Sequence, residues 1–92
     1  MADTELLEKV KAFIGQTGND ADAVISGYID EVTDFMLDAG ISAEKISVST
    51  GTVARGVSDL WDNDAGEVKF SPYFFHRVAQ LAMKSNAEAN SS

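Results

Sequence analysis

Ninety-two residues allow one small domain, and a chain of this size buries only about 60–65% of the surface it exposes when unfolded, so its core is thin and partner contact is a natural source of further stability. The absence of cysteine removes disulfides, thiolate catalysis and cysteine-ligated zinc together, and a single histidine, His76, narrows metal chemistry further. The net charge of −8 is uneven: residues 1–45 hold ten acids against three bases, residues 46–92 five against four, so the first half repels nucleic acid and the aromatic-rich second half is the better protein-contact surface.

No apolar run approaches the roughly 20 residues that span a bilayer, and Met1-Ala2-Asp3-Thr4-Glu5 is acidic where a signal peptide would be basic. The expectation is a chain made and used in the cytoplasm, or in a particle assembled there.

In the first predicted helix, Leu6, Leu7, Val10, Phe13 and Ile14 recur at helical spacing after Asp3 or Thr4 as N-cap, and Gly15 closes it. The polar turn Gln16-Thr17-Gly18-Asn19-Asp20 follows. The second and longest helix carries Val24, Ile25, Tyr28, Ile29, Val32, Phe35 and Met36 as one apolar stripe. Asp30, Glu31, Asp34 and Asp38 fall largely on its other side, and Gly40 ends it as a C′ residue. From Ile41 to Thr52 the pattern is mixed: Ser42-Ala43-Glu44-Lys45 suits a helical turn, whereas Ile46-Ser47-Val48-Ser49 alternates like a strand without a partner. The stretch reads as a long loop. A third helix is expected from about Thr52 to Asp62, burying Val53, Val57, Leu60 and Trp61. A fourth starts at Ser71-Pro72, where serine is a good N-cap and proline fits the first helical position because that N–H has no intrahelical acceptor. It buries Phe74, Phe75, Val78 and Leu81 and fades near Ser85. The fold class is therefore all-α, a bundle of about four helices in one domain over residues 1–85, with residues 86–92 as a frayed, flexible tail lacking any large apolar side chain.

Several patterns resemble reactive sites and fail on chemistry. Gly51-Thr52-Val53-Ala54-Arg55-Gly56-Val57-Ser58 has P-loop spacing, but Val57 stands where the phosphate-reaching lysine belongs, and Gly56 is better read as placed for close helix packing. The carboxylates Asp59, Asp62, Asp64 and Glu67, and separately Asp20 and Asp22, lack the alternating ligands, central glycine and terminal glutamate of an EF-hand. His76, one position off the apolar stripe, reads as a surface residue. Trp61 is either a core anchor or an interface residue, and core is the favoured reading. Asn90-Ser91-Ser92 fits a glycosylation sequon but has no secretion signal to give it meaning. An acyl-carrier site would need Asp-Ser-Leu at a helix start, and here Ser58-Asp59-Leu60 stands in another order inside a helix. No catalytic residue, metal site or cofactor is expected. Lys69, Phe70, Tyr73 and Arg77 combine cations with aromatics beside a glycine-containing loop, a composition enriched at protein interfaces, and are the candidate interface residues; the equal alternative is that Val68 and Phe70 staple the loop to the bundle while Lys69 is solvated.

The stretch Asp59-Leu60-Trp61, Gly66-Glu67-Val68-Lys69 and Ser71-Pro72-Tyr73-Phe74-Phe75, with the opening helix Leu7-Glu8-Lys9-Val10-Lys11-Ala12-Phe13-Ile14-Gly15 and the helix around Tyr28-Ile29, resembles the small head-tail connector (adaptor, head-completion) proteins of tailed bacteriophages. The resemblance covers roughly Leu6 to Lys84. It implies a non-enzymatic structural protein of the virion that forms a dodecameric homo-oligomeric ring beneath the portal protein after DNA packaging. Such a ring extends the DNA channel and gives the stopper or tail-completion protein a platform. An acidic surplus suits a wall past which DNA must slide without binding. The other class left open is an acidic helical regulator or DNA mimic that blocks a basic partner.

Overall fold

A computed structural model describes residues 4–62 and 70–90, with side chains through Ala87. Five helices follow in order: α1 (Thr4–Ile14), α2 (Asp22–Asp38), α3 (Ala43–Ser47), α4 (Thr50–Asp62) and α5 (Pro72–Asn90). No strand occurs among the described residues, so the all-α expectation holds. Asp3, one of the two expected caps of α1, lies outside them.

The predicted stops work by identifiable bonds. At the end of α1, Gly15 adopts φ 75°, the Gln16 N–H donates to Lys11 O at 2.9 Å and the Gly15 N–H donates to Ala12 O at 3.3 Å. After α2, Gly40 adopts φ 98°, the Ile41 N–H reaches Met36 O at 3.1 Å and the Gly40 N–H reaches Leu37 O at 3.0 Å. Both are Schellman caps, in which a left-handed residue lets its own amide and the next one satisfy carbonyls that the helix leaves open. Ile41, the residue past the second cap, is buried and pins the chain to the core as it turns.

α4 is the hub, packing against each of the other four helices. Its buried residues Val53, Ala54, Val57 and Leu60 meet Val10 of α1, Ile25, Ile29, Val32 and Met36 of α2, Ile46 of α3, and Phe74, Val78 and Leu81 of α5 in one cluster. Each such side chain removed from water contributes about 1.5–3 kcal/mol. Gly56 sets how close the helices come. A Cβ at this position would lie 2.6 Å from Phe74 Cε1 and 2.9 Å from Val32 Cγ1, so the missing methyl is what lets the Phe74 ring and α2 press against the α4 backbone. The close-packing reading of Gly56 holds, and Gly51 to Ser58 lies within a helix rather than forming a phosphate-binding loop.

Two of the expected boundaries need correction. The stretch read as loop contains α3, five residues started by Ser42, whose side chain accepts from the Lys45 N–H and whose neighbour Ile46 is buried. Five residues with one buried side chain are too few to show a period. The last helix also continues past Ser85 to Asn90, so the segment read as a frayed tail from residue 86 is helical as far as Asn90. Ser85 is itself buried, and its hydroxyl accepts from the Ser42 N–H at 3.3 Å, docking the last helix onto the start of α3.

Among the described residues one charge is buried, and it is paired. Lys11, with a side chain only 7% exposed, makes a 2.8 Å ion pair with Asp22, a longer one of 3.5 Å with Glu8, and a hydrogen bond to Asn19 Oδ1. The pair joins the negative end of α1 to the positive end of α2, so each charge also suits its helix dipole. The hydrogen bond to Asp22 holds the ammonium above the ordinary lysine value against the opposing pull of desolvation. Because the folded value is raised, this contribution is complete below about pH 10.4 and is lost as pH climbs through the folded value.

Candidate functional site

An open groove of about 480 Å3 lies where four elements meet. Phe13 comes from the last turn of α1, Val48 and Ser49 from the α3–α4 junction, Gly51, Thr52 and Arg55 from the first turns of α4, and Tyr73 and Arg77 from the first turns of α5. Tyr73 and Arg77 stand four apart and therefore on one face, while Phe74 and Val78, one position on, turn into the core. Phe13, Val48 and Tyr73 are 53%, 75% and 63% exposed, leaving a substantial apolar surface in water.

Both arginines of the chain reach this groove, and among the described residues no carboxylate, histidine or lysine lines it. Arg55 is held in place from two sides. Its guanidinium carbon lies 5.5 Å from the centroid of the Tyr73 ring, within cation–π range, and its Nε is 3.7 Å from Asp59 Oδ1. That separation is too long for a hydrogen bond, and Arg55 Nε has none among the described residues. Asp59 is engaged through its other oxygen, Oδ2, which accepts from the Ser71 N–H at 3.0 Å, while Ser71 Oγ accepts from the Phe74 N–H at 3.2 Å as the N-cap of α5. The cap that starts α5 and the guanidinium that lines the groove thus share one carboxylate. Arg77 donates from Nη1 to Gln80 Oε1 at 3.2 Å and forms no ion pair among the described residues.

Of the four residues that composition singles out, Tyr73 and Arg77 come together here. Phe70 does not. Its half-buried ring packs at 4.5 Å from Phe74 and 5.2 Å from Phe35, with Phe75 at 5.9 Å, in an aromatic cluster between α2 and α5. Lys69 lies outside the described residues. Arg55, Phe13 and Val48 complete the groove and escape sequence reasoning, since they belong to three separate segments. Phe13 was expected on the buried stripe of α1, Val24 on that of α2 and Phe75 on that of α5, and all three are largely exposed.

The remaining candidates occupy structural places. Trp61 is half-buried against the core, as the favoured reading expects. His76 is exposed and stands 3.2 Å from Gln80. Asp64 and Glu67, part of one acidic cluster, lie outside the described residues. Among the described residues no group of three or more His, Cys, Asp or Glu could hold a metal ion, and no helix is long and apolar enough to cross a membrane. Two guanidiniums over an aromatic and aliphatic floor can hold a carboxylate-bearing, partly apolar surface. Among the described residues the groove presents no general base next to a nucleophile. No protein-family model, curated protein or solved structure matches this chain.

Proposed function

We propose that the protein is a non-enzymatic structural adaptor of the tailed-phage head-tail connector type, in which identical copies form a ring beneath the portal and continue its DNA channel. The observation that carries the reading is the groove: both arginines and three exposed hydrophobic side chains are concentrated on one face of an otherwise acidic bundle, the composition of a surface made to meet protein. The connector role in particular rests on the resemblance in residues 59–75, which includes the α4 end and the Ser71-Pro72 helix start. A net charge of −8 suits a channel wall that must not retain DNA. In this reading the portal protein and a stopper or tail-completion protein are the partners, the junction between head and tail is the location, and no cofactor is involved.

Native mass spectrometry of the chain with and without its cognate portal protein tests the reading. A discrete complex of the portal with many copies of this chain is expected. A portal whose mass is unchanged at saturating chain would refute it.

A further inference from the structure

We propose that the groove between Arg55 and Arg77 receives the acidic face of α2 from a second copy of this chain, making a head-to-tail contact. The proposal deepens the ring reading above and rests on it for its biological setting, though not for its chemistry.

The complement of the groove is present elsewhere on the same molecule. Glu31, Asp34 and Asp38 follow one another at helical spacing on α2 and are all exposed, with Leu37 beside them 46% exposed. This face offers what the groove lacks: carboxylates for two guanidiniums and an aliphatic side chain for the apolar floor of Phe13, Val48 and Tyr73. No residue of α2 lines the groove, and α2 is fixed against α4 by its opposite, buried face through Val32 and Gly56. A chain therefore cannot satisfy its own groove with these acids. Only a second copy can, and because the two patches differ, the contact is heterologous and generates a ring or an open filament rather than an isolated symmetric dimer.

The placement of these acids points the same way. Asp34 and Asp38 occupy the last turns of α2, at the negative end of the helix dipole, and no basic residue lies in the last turn to offset them. Carboxylates at a helix C-terminus are unfavourably placed in the dipole, whereas a guanidinium supplied from outside offsets their charge and suits the dipole. Two copies each carrying −8 repel in most orientations. Pairing the arginine groove with the acidic face is the arrangement that reverses the sign locally, so it also fixes the register.

The test uses the full chain in sedimentation velocity at low and at high salt, over concentrations up to about 1 mM, the range in which even weak contacts are populated. The native chain should form oligomers that grow with concentration and dissociate with salt. Arg77→Glu and, separately, the pair Asp34→Lys and Asp38→Lys should each weaken association by about tenfold or more, while circular dichroism stays helical. Combining the reversals in one chain should restore association, because the exchanged charges again match. A native chain that is monomeric throughout, reversals that leave association unchanged, or a combined variant that stays monomeric would each overturn the contact. Failure to assemble on a portal with the charge-swap rescue intact would instead remove the connector reading and leave the contact standing.

Discussion

Arg55 and Gly56 are neighbours in the chain, as are Tyr73 and Phe74, yet one member of each pair lines an open groove and the other forms the tightest junction of the interior. A helical residue points about 100° away from the one before it, so two crossing helices present an inside and an outside within a single step of sequence. At the junction, the Phe74 ring and Val32 leave no room for even a methyl group on Gly56. At the groove, the Arg55 guanidinium carbon lies 5.5 Å from the centroid of the Tyr73 ring, beside open space that no side chain fills. The difference shows how a thin core and a contact surface can be built from the same two helices without competing for residues. It also means that substitutions one position apart should have unlike effects.

The largest effect belongs to the inside. Phe74→Ala removes a fully buried ring from the centre of the aromatic cluster and should cost about 3–5 kcal/mol in denaturant unfolding, a large share of the stability of so small a domain. Gly56→Ala comes next. The added methyl is overpacked against Phe74 and Val32, and after the gain in helix propensity it should still cost about 1–2 kcal/mol. In a Phe74→Leu background this cost should shrink, and a double-mutant cycle showing no coupling would mean that the ring is not what the glycine accommodates.

Ser71→Ala removes the acceptor for the Phe74 N–H and should cost about 1 kcal/mol, read as a lower unfolding midpoint with an unchanged denaturant slope. At the outside, Arg77→Ala should move stability by less than about 0.5 kcal/mol, since its only described partner is the exposed Gln80. A larger loss would show that the groove belongs to the folding unit rather than lying ready on its surface.

How far the sequence reveals each region follows from the same geometry. Caps are legible because their chemistry is local: Gly15, Gly40 and Ser71 each do what their residue type and position require. The stripes locate the buried faces of the long helices, and Val10, Ile29, Val32 and Val78 lie on them as expected. α3 is not legible, because one buried residue, Ile46, in five makes no period. The end of α5 is missed for a related reason, since its anchor is a serine hydroxyl and not an apolar side chain. Of the groove, sequence shows the cationic and aromatic pair on α5 but not its completion. Phe13 sits on a sound helical period and is exposed all the same, because the period fixes a side of the helix and the edge of that side faces a gap between neighbours.

The Asp59–Ser71 and Ser42–Ser85 hydrogen bonds together hold α5 at its first turn and again four turns along. The register of that helix is therefore set by contacts at its start and again at Ser85. A change that breaks one of these two contacts leaves the other to hold the helix in place.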